Sequence, residues 1–157
     1  MAIQIAVVGS GTEDKNTNEL ARKVGGEIAK RGGVLVCGGL KGVMEAAAMG
    51  AKEAGGTTLG IIPGDDPKSA NKYIDHVIVT GMGHARNVIV VKSADAVAAL
   101  PGGPGTLSEI ALALKMGKPV ICVGGFAPWE TIDGVKSIKS PAEAVKYIFE
   151  KLSKKLR

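Results

Sequence analysis

The sequence predicts a doubly wound α/β fold, a mostly parallel sheet of six or seven strands with helices on both faces. Short runs rich in Val and Ile recur along the 157 residues, helical patterns separate most of them, and glycines follow nearly every run. Apolar strands that alternate with helices are typical of a parallel sheet covered on both sides. At this length we expect one domain spanning residues 1–157.

Six apolar runs are predicted to be strands. They lie at about residues 3–8, 33–37, 57–62, 76–80, 95–100 and 119–123. Each is only a few residues long, as expected for strands that are buried on both faces. The polar segment 63–74, between the third and fourth runs, is interpreted as a long connection and a candidate mobile flap.

The first helix is predicted between the first two strands. Leu20, Val24 and Ile28 recur every four residues, which places them on one helical face. Asn16 with Glu19 matches a capping box, in which a helix cap and the third following residue exchange hydrogen bonds. The helix is therefore expected to begin near Asn16.

Three further helices follow from small-residue patterns and capping signals. Residues 42–54 are rich in Ala and Gly, so this helix can lie close against a sheet, and residues 106–117 form another helix. Gly117 ends the second of them, as glycine commonly does after a helix. The last helix starts at Ser140, Pro141 and Glu143, another capping pattern.

The charge and aromatic content favour small anionic ligands over nucleic acid. The net charge is +5, but several of the positive residues lie near the C-terminus, where they suit a solvated helix face: Lys146, Lys151, Lys154, Lys155 and Arg157. Aromatic residues make up only 3% of the chain, whereas single-strand binding uses aromatic platforms for the bases. We expect no nucleic-acid partner.

Neither a membrane segment nor a metal site is predicted. No run approaches the roughly 20 apolar residues of a membrane helix, and the start MAIQIAVVG lacks the basic segment of a secretory signal. Cys37 and Cys122 end apolar runs, as buried cysteines often do, and His76 and His84 are isolated. We expect a cytoplasmic protein with no membrane partner, no metal and no cofactor.

Glycines cluster at one edge of the predicted sheet. Gly9 and Ser10 follow the first strand, and Gly38 and Gly39 follow the second, so all four lie at the carboxyl edge, where open α/β sheets bind ligands. The first turn, GSGTEDKN, has Asp14 where a dinucleotide fingerprint has its third glycine, and no P-loop motif occurs. These four residues are candidate nucleotide-binding residues.

The stretch LPGGPGTLSEIALAL carries the most specific candidate site. Gly102, Gly103 and Gly105 let the backbone approach a ligand closely, and Thr106 stands where a helix begins. Free amides at a helix N-terminus, with the helix dipole behind them, favour a phosphate. These four residues are predicted to bind phosphate.

Glu109 and Arg86 are the candidate catalytic residues. Thr106 and Glu109 fit a T-x-x-E capping box, and local sequence alone favours that purely structural role. An acid in the first helical turn is also well placed to act on a ribose whose phosphate binds the same helix end. Arg86 follows the fourth strand at the same edge, and its partner is Glu109, a ligand phosphate or a surface acid.

Three segments together resemble the Lonely Guy (LOG) family, long labelled lysine decarboxylases. They are GGLKGVMEAAAMGAKEAGGTTLGIIPG, an arginine after the fourth strand, and PGGPGTLSE, in the same order over about residues 5–125. The resemblance implies a Rossmann-like fold, a homodimer or homotetramer, and hydrolysis of nucleoside 5′-monophosphates to a free base and ribose 5-phosphate. It makes Gly102, Gly103, Gly105 and Thr106 the phosphate site, with Arg86 and Glu109 as the catalytic pair. No lysine lies in a motif for a pyridoxal Schiff base, so a lysine decarboxylase is not expected.

One substitution leaves two functions open. Arg86 is followed by Asn87, where cytokinin-activating members of the family typically have lysine. The form GHARN and the short chain resemble the molybdenum-cofactor carrier proteins, which are similar in fold and need not be hydrolases. The alternative to a hydrolase is therefore a non-catalytic carrier or sensor of a phosphorylated pterin or nucleotide. Two weaker alternatives are a domain in which the glycines only form turns, Glu109 only caps a helix and Arg86 only forms a surface ion pair, and a protein that binds single-stranded DNA.

Overall fold

The computed structural model describes residues 1–125 and 128–155, and within them the chain forms one seven-stranded sheet. The strands are β1 (Gln4–Val8), β2 (Val34–Cys37), β3 (Thr57–Ile62), β4 (His76–Val79), β5 (Ala96–Ala99), β6 (Val120–Val123) and β7 (Val135–Ile138). Their order is β4-β3-β2-β1-β5-β6-β7, and every neighbouring pair is parallel. The predicted Rossmann-like α/β fold is confirmed, with a sheet that is wholly parallel.

Five α-helices cover the two faces of the sheet in the described residues. They are α1 (Lys15–Lys30), α2 (Val43–Glu53), α3 (Arg86–Ser93), α4 (Pro104–Lys115) and α5 (Pro141–Lys155). One buried cluster packs α1, α2 and α5 on one face, and a second packs α3 and α4 on the other. None of these helices is long and apolar enough to cross a membrane.

The side-chain alternation of β1 shows why both faces need a helical cover. Ile5 and Val7 belong to the cluster on the face of α1, whereas Ala6 and Val8 belong to the cluster on the face of α3. Successive side chains of a strand point to opposite faces, so a strand that is apolar throughout buries both. The near-continuous apolar runs of the sequence reflect this double burial.

The start of α1 differs from the prediction. The Asp14 side chain caps the helix by accepting the Thr17 N–H at 2.8 Å, and this hydrogen bond lowers the pKa of the Asp14 carboxyl. Asn16 lies inside the helix, so the predicted capping box of Asn16 with Glu19 is wrong. An aspartate two residues earlier provides the cap that the helix needs.

The segment 63–74 is a folded connection. It contains a 3₁₀ turn at Pro67–Ser69, and Asn71 is buried. The Asn71 backbone N–H donates to the Gly39 carbonyl at 2.8 Å, and its side-chain amide donates to the Leu40 carbonyl at 2.8 Å. These bonds fasten the end of the segment to the turn after β2, which argues against an independent flap there.

The basic residues predicted on the last helix lie on α5, as expected, with one exception. Lys146, Lys151, Lys154 and Lys155 fall within its bounds. Arg157 lies outside the described residues. The last turn of α5 therefore carries the lysines that favour the negative end of a helix dipole.

Candidate active site

A cavity of about 310 Å³ lies at the carboxyl edge of the sheet. The turns after β1, β2 and β5 and the first turns of α3 and α4 form its walls. Eight of the ten predicted site residues line it: Gly9, Ser10, Gly38, Arg86, Gly103, Gly105, Thr106 and Glu109. Gly39 and Gly102 are not part of its lining. A larger cavity of about 630 Å³ lies at the opposite edge around Met1, Ala94 and Leu152, away from all ten residues.

Ser10 joins the three turns that frame the cavity. Its backbone N–H donates to the Pro101 carbonyl at 2.9 Å, and its carbonyl accepts the Val43 N–H at 2.9 Å. The turn after β1 is thereby bonded to the turn after β5 and to the start of α2. The Ser10 amide already has a protein acceptor, so a ligand can be contacted only by its side chain, which bonds Thr12 Oγ1 at 2.7 Å.

The predicted glycines divide into those that serve packing and those that leave open space. A Cβ on Gly38 would lie 2.4 Å from Arg86 Nη2, and one on Gly102 would lie 2.0 Å from Thr106 Oγ1. No atom in the described chain would come within 4 Å of a Cβ on Gly103. Gly38 and Gly102 therefore hold the site together, whereas Gly103 leaves room at the start of α4.

The first turn of α4 presents free backbone donors to the cavity. Gly103 is the N-cap residue, no side chain caps the helix, and Pro104 occupies the first turn. The first intrahelical bond runs from the Leu107 N–H to the Gly103 carbonyl at 3.1 Å. Within the described residues the Gly105 and Thr106 amides have no protein acceptor. Such amides at the positive end of a helix dipole are suited to an anion.

The capping box of Thr106 with Glu109 is not formed. The helix begins at Pro104, so Thr106 lies inside its first turn, and no side-chain capping bond is present. Glu109 falls in the second turn and lines the cavity. The local reading of Glu109 as a cap is wrong, because the cap position is occupied by Gly103.

Glu109 is a buried acid with a raised pKa. Its side chain is 8% exposed, and among the described residues it has neither a hydrogen-bond partner nor an ion pair within 4.0 Å. Burial raises the pKa of the Glu109 carboxyl to about 7, although the Arg86 charge lowers it. A carboxyl that titrates near neutrality is suited to proton transfer.

Arg86 anchors the floor of the cavity. Its Nε–H donates to the Ile61 carbonyl at 2.8 Å, and Nη2 donates to the Gly38 carbonyl at 3.2 Å. Nη1 donates to Asn87 Oδ1. Burial lowers the pKa of the guanidinium, and the Glu109 charge opposes that shift. Arg86 is 9% exposed, which excludes the interpretation of this residue as half of a surface ion pair.

Seven further lining residues were not predicted as part of the site, and Met44, His84 and Asn87 are among them. Asn87 accepts from Arg86 and donates to Ser108 Oγ at 3.4 Å, so it links α3 to α4. The position of Asn87 directly after Arg86 was a usable signal. Met44 and His84 lacked such a signal because single Met and His residues recur in many settings.

Trp129 supports the turn after β5 from outside the cavity. Its indole N–H donates to the Gly102 carbonyl at 3.0 Å. The residue lies in a 3₁₀ turn at Trp129–Thr131 that precedes β7. This bond holds the turn after β5 against the segment that follows β6.

The two cysteines are structural. Cys37 and Cys122 are buried and free, and burial raises the pKa of each thiol to about 11, which keeps both protonated and unreactive. In residues 1–125 and 128–155, no three His, Cys, Asp or Glu side chains are grouped as metal ligands would be.

Comparison with known proteins gives two kinds of relative. A family model described as LDcluster4, the SLOG cluster4 family, matches residues 2–152. A cytokinin riboside 5′-monophosphate phosphoribohydrolase of Mycobacterium tuberculosis is 38% identical over 76% of this chain and 67% of its own.

Two solved structures match nearly the whole chain. The molybdenum cofactor binding protein of Rippkaea orientalis has a TM-score of 0.93 and 38% identity, covering 97% of this chain and 98% of its own. The molybdenum cofactor carrier protein of Chlamydomonas reinhardtii has a TM-score of 0.87 and 36% identity, covering 98% and 99%.

Proposed function

The chain belongs to the LOG-like SLOG cluster4 family, and from this we propose that it binds a nucleoside 5′-monophosphate and hydrolyses its N-glycosidic bond. The products are the free base and ribose 5-phosphate. The observation that carries the proposal is the placement of Glu109, a buried acid without a protein partner, in the same cavity as the free amides of α4.

The phosphate is assigned to the first turn of α4. The Gly105 and Thr106 amides point from the positive end of the helix dipole, and Thr106 adds a hydroxyl at the cavity wall. Gly103 leaves open space in front of them. A phosphate bound there places the attached ribose within the cavity that Glu109 lines.

Glu109 is assigned to the attacking water and to the charge on the sugar. Cleavage of an N-glycosidic bond builds positive charge on the ribose, which a nearby carboxylate stabilises. The ionised carboxylate also accepts a proton from the water as that water attacks C1′. A pKa of about 7 makes both ionised and protonated forms accessible near neutral pH.

Arg86 is assigned to holding the site and contacting the ligand. A guanidinium has five N–H donors, and the protein occupies four of them, through Ile61, Gly38, Asn87 and, more weakly, Met44 Sδ at 3.9 Å. One donor remains, on Nη1 of a residue that lines the cavity. It is available to a phosphate oxygen or an acceptor atom of the base, whereas proton donation is excluded because arginine does not release its proton at accessible pH.

The test is chromatography of free adenine after incubation of the purified protein with AMP, beside Glu109→Gln. We expect adenine and ribose 5-phosphate in equal amounts from the parent protein and at least a 100-fold slower release from the variant. Thermal melting establishes that the variant is folded, and calorimetry establishes that it still binds AMP. Absence of adenine release from every nucleoside monophosphate tried, with binding retained, would contradict the hydrolase proposal.

A second candidate is a carrier that binds a phosphorylated pterin without turnover. Two observations favour it: Asn87 takes up one Arg86 donor inside the site, and the solved molybdenum cofactor proteins match nearly the full chain. The phosphate again lies at α4, with the pterin in place of the base. Tight binding of molybdopterin in calorimetry, combined with no base release from AMP, would favour the carrier over the hydrolase.

A further inference from the structure

We propose that His84 is the catalytic acid that protonates the departing base, an inference that rests on the hydrolase activity proposed above. A purine or pyrimidine is a poor leaving group as an anion. Hydrolysis of the N-glycosidic bond therefore needs a proton donor for the departing nucleobase as well as a proton acceptor for the water. Glu109 serves the water and the sugar, which leaves the proton donor unassigned.

The cavity lining restricts the choice of donor. His84, Arg86 and Glu109 are the three titratable side chains among its lining residues in the described chain. Arginine does not release a proton at accessible pH. Histidine is the side chain most often used for proton transfer near neutral pH. The remaining role therefore falls to His84.

The position of His84 fits a residue that contacts ligand rather than protein. It lies in a 3₁₀ turn at Gly83–Ala85, directly before α3 and two residues ahead of Arg86. The Gly83 N–H donates to the Pro63 carbonyl at 3.0 Å, which fixes the turn. The imidazole itself is exposed, and in the described chain no hydrogen bond involves it. Both ring nitrogens are therefore open to a ligand and to solvent.

Charged groups from three elements lie near the turn that carries His84. Arg86 of α3 and Glu109 of α4 line the cavity with it. On the segment after β3, Asp65 lies beside the residues just before this turn, since its Oδ1 is 2.4 Å from where a Cβ of Gly81 would stand. The imidazole therefore shares the cavity with one cation and one acid, and a second acid lies beside the chain that leads to it.

The proposed step balances as follows. Water adds its oxygen to C1′, and the bond from C1′ to the base nitrogen breaks with both electrons going to that nitrogen. His84 gives its proton to the base nitrogen, and Glu109 takes the proton that the water loses. Glu109 then releases its proton to solvent and His84 regains one, so one water is consumed for each base and ribose 5-phosphate formed.

The test compares two leaving groups in His84→Asn. AMP needs a proton on its departing adenine, whereas N7-methyl-AMP carries a positive base that leaves neutral without one. We expect release of adenine from AMP to fall about 100-fold, and release of 7-methyladenine to fall less than 3-fold after correction for the uncatalysed rate. His76→Asn, the other histidine of the chain, is the matched control and is expected to keep the parent rates.

A second readout is the alkaline side of the pH profile of kcat for AMP, which depends on the protonated acid and is expected to disappear in His84→Asn. An equal loss for both substrates, an unchanged AMP rate, or an alkaline limb that persists in the variant would overturn the assignment of His84 alone. A parent protein that releases no base from AMP would instead overturn the hydrolase proposal, and the assignment with it.

Discussion

Arg86, from the first turn of α3, and Glu109, from the second turn of α4, line one cavity, and the guanidinium lowers the pKa of a carboxyl that burial raises to about 7. The two side chains are not paired at contact distance. Arg86 is held by the carbonyls of Ile61 and Gly38, while Glu109 faces the cavity without a partner among the residues that the structure describes. This arrangement keeps the Glu109 carboxyl available to a ligand, while the fixed Arg86 guanidinium favours the ionised form of that carboxyl.

The pH dependence of AMP hydrolysis is the first consequence. In the proposed reaction Glu109 is ionised when it stabilises the sugar cation and accepts a proton, so kcat/KM is expected to rise with pH around a midpoint near 7. Steady-state rates of AMP hydrolysis from pH 5 to 9 measure this rise in kcat/KM. A midpoint below pH 5 would show that the catalytic carboxylate is not a buried one.

The stability of Glu109→Gln is the second consequence. The folded pKa of about 7 lies above the ordinary glutamate pKa of 4.5, so the folded protein binds the proton more tightly than the unfolded chain. The contribution of this proton binding to folding stability is fully present below about pH 4.5 and is lost as the pH rises through 7. Glutamine has no charge to bury, so we expect the variant to exceed the parent in stability at pH 8, by up to about 3 kcal/mol.

Denaturant unfolding at pH 8 and pH 4 measures this difference. The excess stability of the variant is expected to vanish at pH 4, where the parent carboxyl is protonated in both states. Equal unfolding free energies for parent and variant at pH 8 would mean that Glu109 is ionised in the folded protein at little cost.

Arg86→Ala tests how far this residue is structural. Its removal leaves the Ile61 and Gly38 carbonyls without their buried donor, so we expect a loss of about 3 kcal/mol in unfolding free energy. Lost activity in this variant is then not sufficient to assign a chemical role. Arg86→Lys keeps a charge and one anchor, and should recover part of the stability.

Circular dichroism during urea unfolding provides the measurement, with Lys92→Ala on the same helix as the control. Lys92 is exposed, and its side chain has no hydrogen bond or ion pair in the described residues, so its loss is expected to change stability by less than about 0.5 kcal/mol. A similarly small effect of Arg86→Ala would show that the guanidinium bonds contribute little.

The sequence predicted the parts of the fold that depend on long apolar runs. β1, β2, β3, β5 and β6 lie within one or two residues of the predicted runs, because burial on both faces requires such runs. β7 was not predicted: it is an edge strand, and the exposed Lys136 and Ser137 interrupt its apolar character. α3 was also missed, since its Val-Ile-Val-Val run has high strand propensity and packing against the sheet selects the helix.

The site was predictable in composition more than in geometry. The glycine-rich turns, Arg86 and Glu109 could be placed at one edge because the carboxyl ends of parallel strands meet there. Whether Glu109 caps the helix depended on where α4 begins, and Pro104, a residue suited to the first helical position, was the overlooked signal. The placement of His84 in the cavity could not be predicted, because it depends on how the turn before α3 lies against α4.

The assignment of phosphate to α4 leads to a prediction for Gly103→Ala. Gly103 has a negative φ of −100°, and no described atom lies within 4 Å of an added Cβ, so the variant is expected to fold and melt like the parent. A methyl group in the space reserved for phosphate should nevertheless weaken AMP binding at least 10-fold, while binding of adenosine, which lacks the phosphate, changes little. Calorimetry with both ligands measures the two affinities.

Gly102→Ala is the contrasting variant. Its Cβ would lie 2.0 Å from Thr106 Oγ1 and 2.9 Å from the Ser10 backbone nitrogen, so this substitution is expected to lower the melting temperature as well as AMP affinity. Comparing Gly102→Ala with Gly103→Ala therefore distinguishes a loss of affinity caused by distortion of the turn from one caused by a methyl group in the ligand's space. If Gly103→Ala binds AMP as tightly as the parent does, the phosphate lies elsewhere in the cavity, and the free amides of Gly105 and Thr106 are not its donors.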